Sequence, residues 1–327
     1  MQIVHDMRTV KVEGPTILTI GNFDGLHRGH QALLATVMAT ARRQDHARAG
    51  LMTFDPHPLA VLRPDFPHQI LMSPTERMEL AATLGMDLGV IQPFDHALSQ
   101  LSAEEFLHLL VEQLGVAGLV VGPDFALGRN RAGTLPVLSE LAGAMGLSLT
   151  VVAPVNWLDK PVRSSIIRQH LRDGDVAEAA ALLGRAYSVT GRIVEGDKRG
   201  RQLGVPTANL AVDPVFLLPG DGVYATHVHV LDGPAAGAYA GATNIGVRPT
   251  VDGLHHRVET HLLDYTPVTH AEELYGAGMR LDFVARLRGE KRFGSLDELV
   301  AQIHQDIEQA RAIFAADHSE PTPSARL

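Results

Sequence analysis

Apolar runs alternate with helical patterns through the first half of the chain, and this alternation restricts the fold more than any other feature. The runs lie at residues 16–20, 50–54, 88–92, 118–122 and 147–152. Residues 30–43 carry apolar side chains at helical spacing, and Ser73 and Ser102 each begin a capping-box pattern with glutamate three residues later. Alternating strands and helices predict a parallel sheet with covering helices, whose ligands bind at the carboxyl ends of the strands.

The pattern changes near Gly184. Short β-like segments follow at residues 187–194, 222–230, 257–263 and 279–287. These segments predict a small antiparallel β-barrel, and the apolar spacing over 295–314 predicts a helix that closes it. We therefore expect one domain over residues 1–184, a second over 185–315 and a disordered tail over 316–327, which contains proline and serine.

Composition and charge exclude several classes of protein. The formal net charge of −9, from 28 Lys+Arg and 37 Asp+Glu, argues against a basic surface that wraps nucleic acid. The chain has 0 cysteines, so disulfides and thiol chemistry are excluded and a reducing compartment is favoured. The uncharged run over 141–158 contains glycines, Pro154 and Asn156, which favour a turn and a buried strand over a membrane span. We expect a cytoplasmic protein without nucleic-acid or membrane partners, whereas the sequence leaves self-association open.

Residues 21–30, GNFDGLHRGH, follow the first of these strands and open a helix. Glycines at 21, 25 and 29 would allow the backbone to approach a phosphate closely, and the helix N-terminus adds unpaired N–H groups. His27 and His30 are three residues apart and can donate to phosphate oxygens from one side of the first turn. The segment lacks the G-x-x-x-x-G-K-[ST] pattern of a P-loop. The alternative is a turn with two surface histidines.

Two further segments could bind anions or a ligand. Ser164 and Ser165 would begin a helix after the last strand, and Arg168 follows one turn later, which suits a second oxyanion site. A plain N-cap with a surface arginine is the alternative. The loop over 121–134 leaves a strand and contains the glycines and arginines that suit a ligand-binding loop.

These three segments, in this order, resemble the nucleotidylyltransferase domain of the bacterial bifunctional riboflavin kinase/FAD synthetase family, which implies a Rossmann-like α/β fold. The first family pattern, G-x-F-D-G-x-H-x-G-H, is matched fully. Leu127 stands where the second pattern usually has an aromatic residue. In the third pattern, Arg163 replaces a serine and Ser165 stands where threonine is commonest.

The resemblance implies roles for residues of this domain. His27 and His30 would bind the ATP phosphates and stabilise the pentavalent state at the α-phosphorus, while Ser164, Ser165 and Arg168 would hold the departing pyrophosphate. The implied ATP-binding residues are Gly21, Asn22, Phe23, Asp24, Gly25, His27, Gly29, His30, Ser164, Ser165 and Arg168. The implied flavin-binding residues are Asp55, Asp124 and Arg131.

The second half carries residues 196–210, GDKRGRQLGVPTANL. Its glycines and basic residues suit a phosphate-binding flap, although such a charge run is also typical of a solvated turn. Thr207 and Asn209 would emerge on one side of an extended chain, where their oxygens suit Mg²⁺ that keeps waters and phosphate oxygens as its other ligands. The alternative is an Asx-type turn that enters a strand.

Glu259 and His261 share one face of the strand over 257–263, and a glutamate on a strand is by itself usually solvated. The segments PTANL, NIGVRPT, VETHLLD, LYG and LRGEKRF occur in the order found in the riboflavin kinase family, so the second domain resembles that family. The resemblance implies that Glu259 takes the proton from the 5′-hydroxyl of riboflavin, and that Thr207 and Asn209 bind Mg²⁺ with ATP. The implied ATP-binding residues are Gly196, Lys198, Gly200, Arg201, Thr207 and Asn209. The implied flavin-binding residues are Asn244, Arg248 and Glu259.

Together the resemblances imply two reactions that consume ATP: phosphorylation of riboflavin to FMN, then adenylylation of FMN to FAD with release of pyrophosphate. Because a triphosphate favours imidazolium, adenylylation should weaken more than phosphorylation as the pH rises above neutral. Three alternatives stay open. They are a riboflavin kinase with weak or lost adenylyltransferase activity, another HxGH enzyme such as a cytidylyltransferase or a class I aminoacyl-tRNA synthetase, and a non-catalytic flavin sensor.

Other histidines give only weak signals for a metal. His227 and His229 alternate on one strand face, but no third zinc ligand is recognisable in the sequence. Residues 55–58, DPHP, follow the second strand and could bind a metal, line a substrate site or form a plain turn.

Overall fold

The computed structural model describes residues 1–65, 69–196, 200, 203–250, 253–265 and 273–317, except for the side chains at 248–250, 253–255 and 317. The chain forms two compact units, Met1–Ser164 and Ser165–Leu327. Within the described ranges, no helix has the length and apolar character needed to cross a membrane.

The first unit is built on a six-stranded parallel sheet. Its strands are β1 (Gln2–Val4), β2 (Thr16–Ile20), β3 (Arg48–Asp55), β4 (Leu88–Pro93), β5 (Val116–Val121) and β6 (Ser148–Val151). Its helices are α1 (Arg28–Ala41), α2 (Pro58–Leu62), α3 (Pro74–Thr83), α4 (His96–Gln100), α5 (Ala103–Leu114) and α6 (Leu135–Ala144). The spatial strand order is β1-β4-β3-β2-β5-β6, with every neighbouring pair parallel. A short antiparallel hairpin of β7 (Asn156–Trp157) and β8 (Lys160–Pro161) follows β6.

Helices cover both faces of this sheet, since successive residues of a strand point to opposite sides. Ile17 of β2 belongs to a core that also contains Leu34 of α1 and Met78 of α3. The next residue, Leu18, belongs to a second core with Phe106 of α5. Burial on both faces explains why these strands are continuous apolar runs in the sequence.

The strand order reverses beside β2, and this reversal positions the first candidate site. From β2 the chain passes to β3 and β4 on one side, and later to β5 and β6 on the other. The loops that follow Ile20 and Val121 therefore leave the carboxyl edges of two neighbouring strands. This is the switch point at which ligands of open α/β sheets bind.

The second unit contains a closed barrel of six antiparallel strands in the order β10-β13-β12-β11-β14-β9. The barrel strands are β9 (Tyr187–Val194), β10 (Ala208–Ala211), β11 (Gly222–Val230), β12 (Gly237–Thr250), β13 (Gly253–Leu262) and β14 (Gly278–Arg288). The helices α7 (Ser164–Arg172) and α8 (Val176–Leu183) precede the barrel, and α9 (Leu296–Asp317) follows it.

Alternate residues of the barrel strands form an interior and an outer face. The hydroxyl groups of Thr226, Thr243 and Thr260 are buried in the interior and joined by hydrogen bonds of 2.7 and 3.0 Å. On the outer face, α9 packs against the barrel in a core that includes Ala242 and Phe314. Residues 259 and 261 alternate with Thr260, so their side chains lie on the outer face.

The predicted fold class is confirmed, since a parallel sheet with helices precedes an antiparallel barrel with a final helix. Several predicted boundaries differ from the observed ones by one or more residues. The helix after β2 begins at Arg28 and not at residue 30, because His27 already caps its N-terminus.

The two compact units divide between Ser164 and Ser165, whereas the sequence pattern changes at Gly184. Helices α7 and α8 lie between these two points, and the domain bounds 1–184 and 185–315 stay a prediction. Helix α9 extends to Asp317, and the remainder of the predicted tail, 318–327, lies outside the described residues.

Ser73→Ala should destabilise the first unit by about 1 kcal/mol, because it removes the side-chain cap of α3. The Ser73 hydroxyl accepts from the Glu76 backbone N–H at 3.2 Å, and the Glu76 carboxylate accepts from the Ser73 N–H at 2.8 Å. The measurement is urea unfolding followed by the fluorescence of Trp157, which lies in this unit and is the chain's single tryptophan. Thr134→Ala is the control, since the Thr134 side chain precedes α6 without making a capping hydrogen bond. Equal losses for the two variants would contradict the prediction.

Candidate active sites

The histidines of the 21–30 segment lie together at the start of α1. The Nδ1 atom of His27 accepts the backbone N–H of His30 at 3.3 Å and so caps the helix. The two imidazole rings are stacked, with centroids 3.6 Å apart and an interplanar angle of 14°. Because Nδ1 of His27 is an acceptor, neutral His27 carries its proton on Nε2. The structure thus brings together the two histidines that the sequence predicts.

The loop before α1 depends on backbone conformations that few residues adopt. Phe23, Gly25 and Leu26 have φ angles of 46°, 81° and 43°, which lie in the left-handed region. At Gly29, a Cβ atom would lie 3.2 Å from the His27 ring. Glycine at this position therefore leaves room for the imidazole that caps the helix.

The surroundings of His30 favour its neutral form. Burial lowers the pKa of His30 well below its ordinary value of 6.5, and the nearby His27 and Arg77 lower it further. Its Nδ1 atom is buried and has no hydrogen-bond partner in the part of the chain that the structure describes. The sequence predicts a raised histidine pKa only in the complex with ATP. In that complex the negative charge of the triphosphate would have to outweigh the burial that lowers the pKa of His30.

The buried side chain of Asp24 holds the loop through hydrogen bonds from Leu71 and Arg77. The residue is 2% exposed, and its carboxylate accepts the Leu71 N–H at 2.9 and 3.1 Å and the Arg77 guanidinium at 3.4 Å. Its carbonyl oxygen accepts the Ser164 hydroxyl at 2.9 Å. The Asp24 carboxylate, predicted from the family pattern to bind ATP, is therefore engaged by donors of the protein.

Arg77 and Thr53 also hold this loop, and the sequence analysis missed both. The Thr53 hydroxyl donates to the Asn22 carbonyl at 3.0 Å and accepts from Arg77 at 3.1 Å. Arg77 occupies the buried face of α3 beside Met78 and Ala81. A charged residue at an inward position of an amphipathic helix is the signal that could have identified it.

The predicted flavin-binding residues lie at the end of β3 and in the segment after β5, at the carboxyl edge of the sheet. The Asp124 side chain is 85% exposed and lies 3.8 Å from the Arg163 guanidinium. Arg131 donates to the Asp124 carbonyl at 2.8 Å, so it holds its own loop. Asp55 is exposed at the end of β3. Leu127, which stands where the family has an aromatic residue, is buried in the core on one face of the sheet.

The remaining predicted residues of the pyrophosphate site lie on α7, in the second compact unit. Ser165 is exposed in the first turn, and Arg168 is half-buried one turn later. Their spacing of three residues places them on one side of the helix. His57, in the 55–58 segment, caps α2 by accepting the Leu59 N–H at 3.1 Å.

The second candidate site is a row of polar residues across three barrel strands. Asn209 of β10 lies directly opposite Glu259 of β13, which in turn lies opposite Asn244 of β12. Directly opposed residues point to the same face of a sheet, so these side chains lie side by side. Thr207 precedes the row by two residues. Register thus brings together predicted residues that are up to about fifty positions apart.

These residues line a cavity of about 980 Å³ on the outer face of the barrel. Gly196, Thr207, Asn209, Asn244 and Glu259 all contribute to its wall, and side chains of α9 close it. A cavity of this size accommodates a cofactor-sized ligand.

Arg257 and His261 complete the polar wall of this cavity, and the sequence analysis missed the contribution of Arg257. Its guanidinium lies 2.9 Å from the Glu259 carboxylate, two residues along the same strand. The Nδ1 atom of His261 lies 2.8 Å from the Pro206 carbonyl oxygen. The ion pair with Arg257 therefore orients the carboxylate that the family resemblance predicts as a base.

Some predictions lie outside the described residues or find no support. Lys198 and Arg201 are not among the described residues, and Arg248 is described only by its backbone in β12. His227 contacts the Phe314 ring, with centroids 4.9 Å apart, and His229 lies 3.3 Å from Asp282. Within the described ranges, no group of three or more His, Cys, Asp or Glu side chains is arranged to hold a metal ion.

Two family descriptions match consecutive parts of the chain. Residues 9–166 match the family described as FAD synthetase, and residues 183–314 match the family described as riboflavin kinase. The bifunctional riboflavin kinase/FMN adenylyltransferase of Escherichia coli (strain K12) is 37% identical over 95% of this chain and 96% of its own. The protein of the same name from Bacillus subtilis (strain 168) is 33% identical over 96% of this chain and 98% of its own.

A solved structure from Streptococcus pneumoniae, described as a macrolide-efflux protein, has a TM-score of 0.85 and 28% identity, and the match covers 95% of this chain and 98% of that one. The fold and the two sites define a transferase that joins a nucleotidyltransferase unit to a barrel kinase. With relatives at 37% and 33% identity along nearly their whole length, the chain belongs to the bifunctional riboflavin kinase/FMN adenylyltransferase family.

The lowered pKa of His30 predicts that the first unit loses stability in mild acid. Below pH 6.5 the unfolded chain binds a proton at His30 that the folded chain does not bind. The free energy of unfolding is therefore highest above pH 6.5 and falls as the pH decreases towards the folded pKa of His30. His30→Gln should flatten that fall in urea unfolding followed by Trp157 fluorescence. His108→Gln, at an exposed position of α5, should leave the fall unchanged. Equal slopes for the wild type and His30→Gln between about pH 5 and 7 would count against the prediction.

Proposed function

We propose that the chain converts riboflavin to FMN in the barrel unit and FMN to FAD in the α/β unit, and that each step consumes ATP. The observation that carries the first step is the row of Asn209, Glu259 and Asn244 in the wall of a cavity. The stacked histidines at the switch point of the sheet carry the second. The names of the E. coli and B. subtilis relatives describe the same two activities. We further propose functional domains over 1–184 and 185–315, and a cytoplasmic location.

In the kinase step, Glu259 would orient the 5′-hydroxyl of riboflavin and accept its proton as the γ-phosphoryl group of ATP is transferred. Its ion pair with Arg257 holds the carboxylate at the cavity wall before substrate arrives. Asn244 and Arg248 would shape the flavin site, and the segment from Gly196 to Arg201 would cover the ATP phosphates.

The donors beside Glu259 fit Mg²⁺. Thr207 and Asn209 offer hydroxyl and amide oxygens, which a hard cation prefers, and both line the cavity. A side chain at position 196 would overlap the Asn209 amide, so glycine at this position leaves space for that amide. Bound there with ATP, Mg²⁺ would neutralise part of the phosphate charge.

In the adenylyl step, the FMN phosphate is already ionised, so no general base is needed. His27 would donate from Nε2 to the ATP phosphates beside the N-terminus of α1, where its ring is stacked on His30. Ser164, Ser165 and Arg168 would hold the departing pyrophosphate. Asp55, Asp124 and Arg131 belong to the loops that would face the flavin.

Glu259→Gln should slow formation of FMN by roughly a hundred- to ten-thousand-fold, because it removes the base and keeps the shape. It should leave the conversion of supplied FMN to FAD unchanged. Products formed from riboflavin or FMN with Mg²⁺ and ATP are separated by chromatography. Glu308→Gln, at an exposed position of α9, is the matched control. Undiminished FMN formation by Glu259→Gln would refute the kinase assignment.

His27→Asn should have the converse effect. Asparagine can still cap α1 but lacks the Nε2 donor, so FAD formation from FMN should fall roughly a hundred- to a thousand-fold. Formation of FMN from riboflavin, measured in the same preparation, should stay at the wild-type rate. His108→Asn is the control in the same unit. Loss of both activities, or of neither, would contradict the assignment of His27 to the adenylyl step.

The same assay separates the alternatives. Accumulation of FMN without FAD by the wild type would indicate a riboflavin kinase with lost adenylyltransferase activity. Binding of flavin without turnover, unaffected by Glu259→Gln, would indicate a sensor.

A further inference from the structure

Arg77 is one of the largest fully buried side chains among the described residues, and neither predicted site includes it. We propose that Arg77 is a positioning residue for adenylyl transfer, which holds the nucleotide loop 21–27 in its binding conformation through Asp24 and Thr53. The inference rests on the proposed adenylyltransferase function of the first unit.

The guanidinium of Arg77 reaches three separate acceptors. It donates to the Thr53 hydroxyl at 3.1 Å, to the Met72 carbonyl at 2.8 Å and to the Asp24 carboxylate at 3.4 Å. Thr53 links Arg77 to the loop, since its hydroxyl also donates to the Asn22 carbonyl at 3.0 Å. A single side chain of α3 is therefore bonded, directly or through one hydroxyl, to two residues of the loop.

The loop needs such a restraint because its conformation is intrinsically unfavourable. Phe23 and Leu26 are non-glycine residues with φ angles of 46° and 43°, and such residues persist only where the surroundings hold them. Asp24 lies between them, and its carboxylate is the loop's contact with Arg77 and with the Leu71 N–H.

The same contacts extend to the other end of the proposed phosphate site. The Asp24 carbonyl accepts the Ser164 hydroxyl at 2.9 Å, and Ser164 begins α7. Arg77 thus acts on the histidine loop and, through Asp24, on a serine predicted to hold pyrophosphate. Its charge also contributes to the lowered pKa of His30.

Stability alone does not explain a buried arginine at this position. A buried ion pair is often no more stabilising than apolar residues of similar volume, and Arg77 has apolar neighbours on its helix. Positioning makes a different demand, since a displacement of about 1 Å in a reacting group can cost about a hundredfold in rate. Arg77→Met should therefore slow turnover, and it should also lower stability because it leaves the buried Asp24 carboxylate without its cationic partner.

The test compares Arg77→Met, Arg77→Lys and Thr53→Val in the full-length protein. Methionine keeps the apolar stem, lysine keeps the charge without the forked donor, and valine removes the hydroxyl that links Arg77 to Asn22. Arg43→Met is the matched control, because the exposed Arg43 side chain contacts Thr40 on the surface of α1. Trp157 fluorescence reports that the first unit is folded at the assay temperature.

The expected result is a selective loss of adenylylation. In Arg77→Met, kcat for FAD formation from FMN and ATP should fall about a hundredfold, while FMN formation by the barrel unit of the same molecules stays within about twofold. Arg77→Lys should recover at least about tenfold of the loss, and Thr53→Val should lose about tenfold in kcat. Arg43→Met should match the wild type in both reactions.

A merely structural role predicts a different pattern. Arg77→Met with a lowered unfolding midpoint but kcat within about threefold of the wild type, in protein that is folded during the assay, would overturn the proposal. If Arg77→Met does not fold, Arg77→Lys and Thr53→Val decide, and wild-type kcat in both would overturn it. A wild type that forms no FAD from FMN would refute the adenylyltransferase function itself, and this inference with it. That outcome is distinguishable from failure of the Arg77 inference alone, because it is seen without any variant.

Discussion

An acidic chain that handles polyphosphates must bind them with local donors, and both candidate sites follow from this constraint. With a net charge of −9, the surface as a whole does not attract anions. In the first unit we propose that a helix N-terminus and two stacked histidines bind the phosphates. In the second we propose that oxygen donors suited to a cation, Thr207 and Asn209, do so with Arg257 in the same cavity. Each solution is short-ranged, so each depends on accurate placement of a few groups.

The two sites differ in the way that their proposed reactions require. A hydroxyl must lose a proton to attack phosphorus, and the barrel cavity contains the carboxylate of Glu259. An FMN phosphate needs no base, and the residues gathered at the sheet's switch point are mainly donors. Asp24 is the carboxylate within the 21–30 segment, and its oxygens are bonded to Leu71 and Arg77. The negative charge closest to the histidines in sequence is thus neutralised inside the protein.

The side chains of the two candidate sites are held in position by different means. In the barrel, strand register aligns Asn209, Glu259 and Asn244, and ladder hydrogen bonds maintain that alignment. In the α/β unit the loop after β2 has no ladder, and side chains from neighbouring elements hold it. Thr53 donates to the loop's backbone and Arg77 donates to the Asp24 carboxylate, and these bonds hold the loop where ladder hydrogen bonds would hold a strand. The loop site is therefore held mainly by side chains of neighbouring elements, whereas the strand site is aligned mainly by register.

The sequence alone determined the periodic features of this protein. Alternating apolar runs predicted the parallel sheet, the glycine–histidine spacing predicted His27 and His30 on one turn, and strand alternation placed Glu259 and His261 on one face. These features need only neighbours within a turn or a strand. Tertiary structure alone decided that Arg77 is buried against Asp24, that Arg257 pairs with Glu259, and that the Asp24 carboxylate accepts from Leu71 and Arg77. Such contacts depend on packing between elements far apart in the chain and on side-chain direction, which local periodicity does not encode.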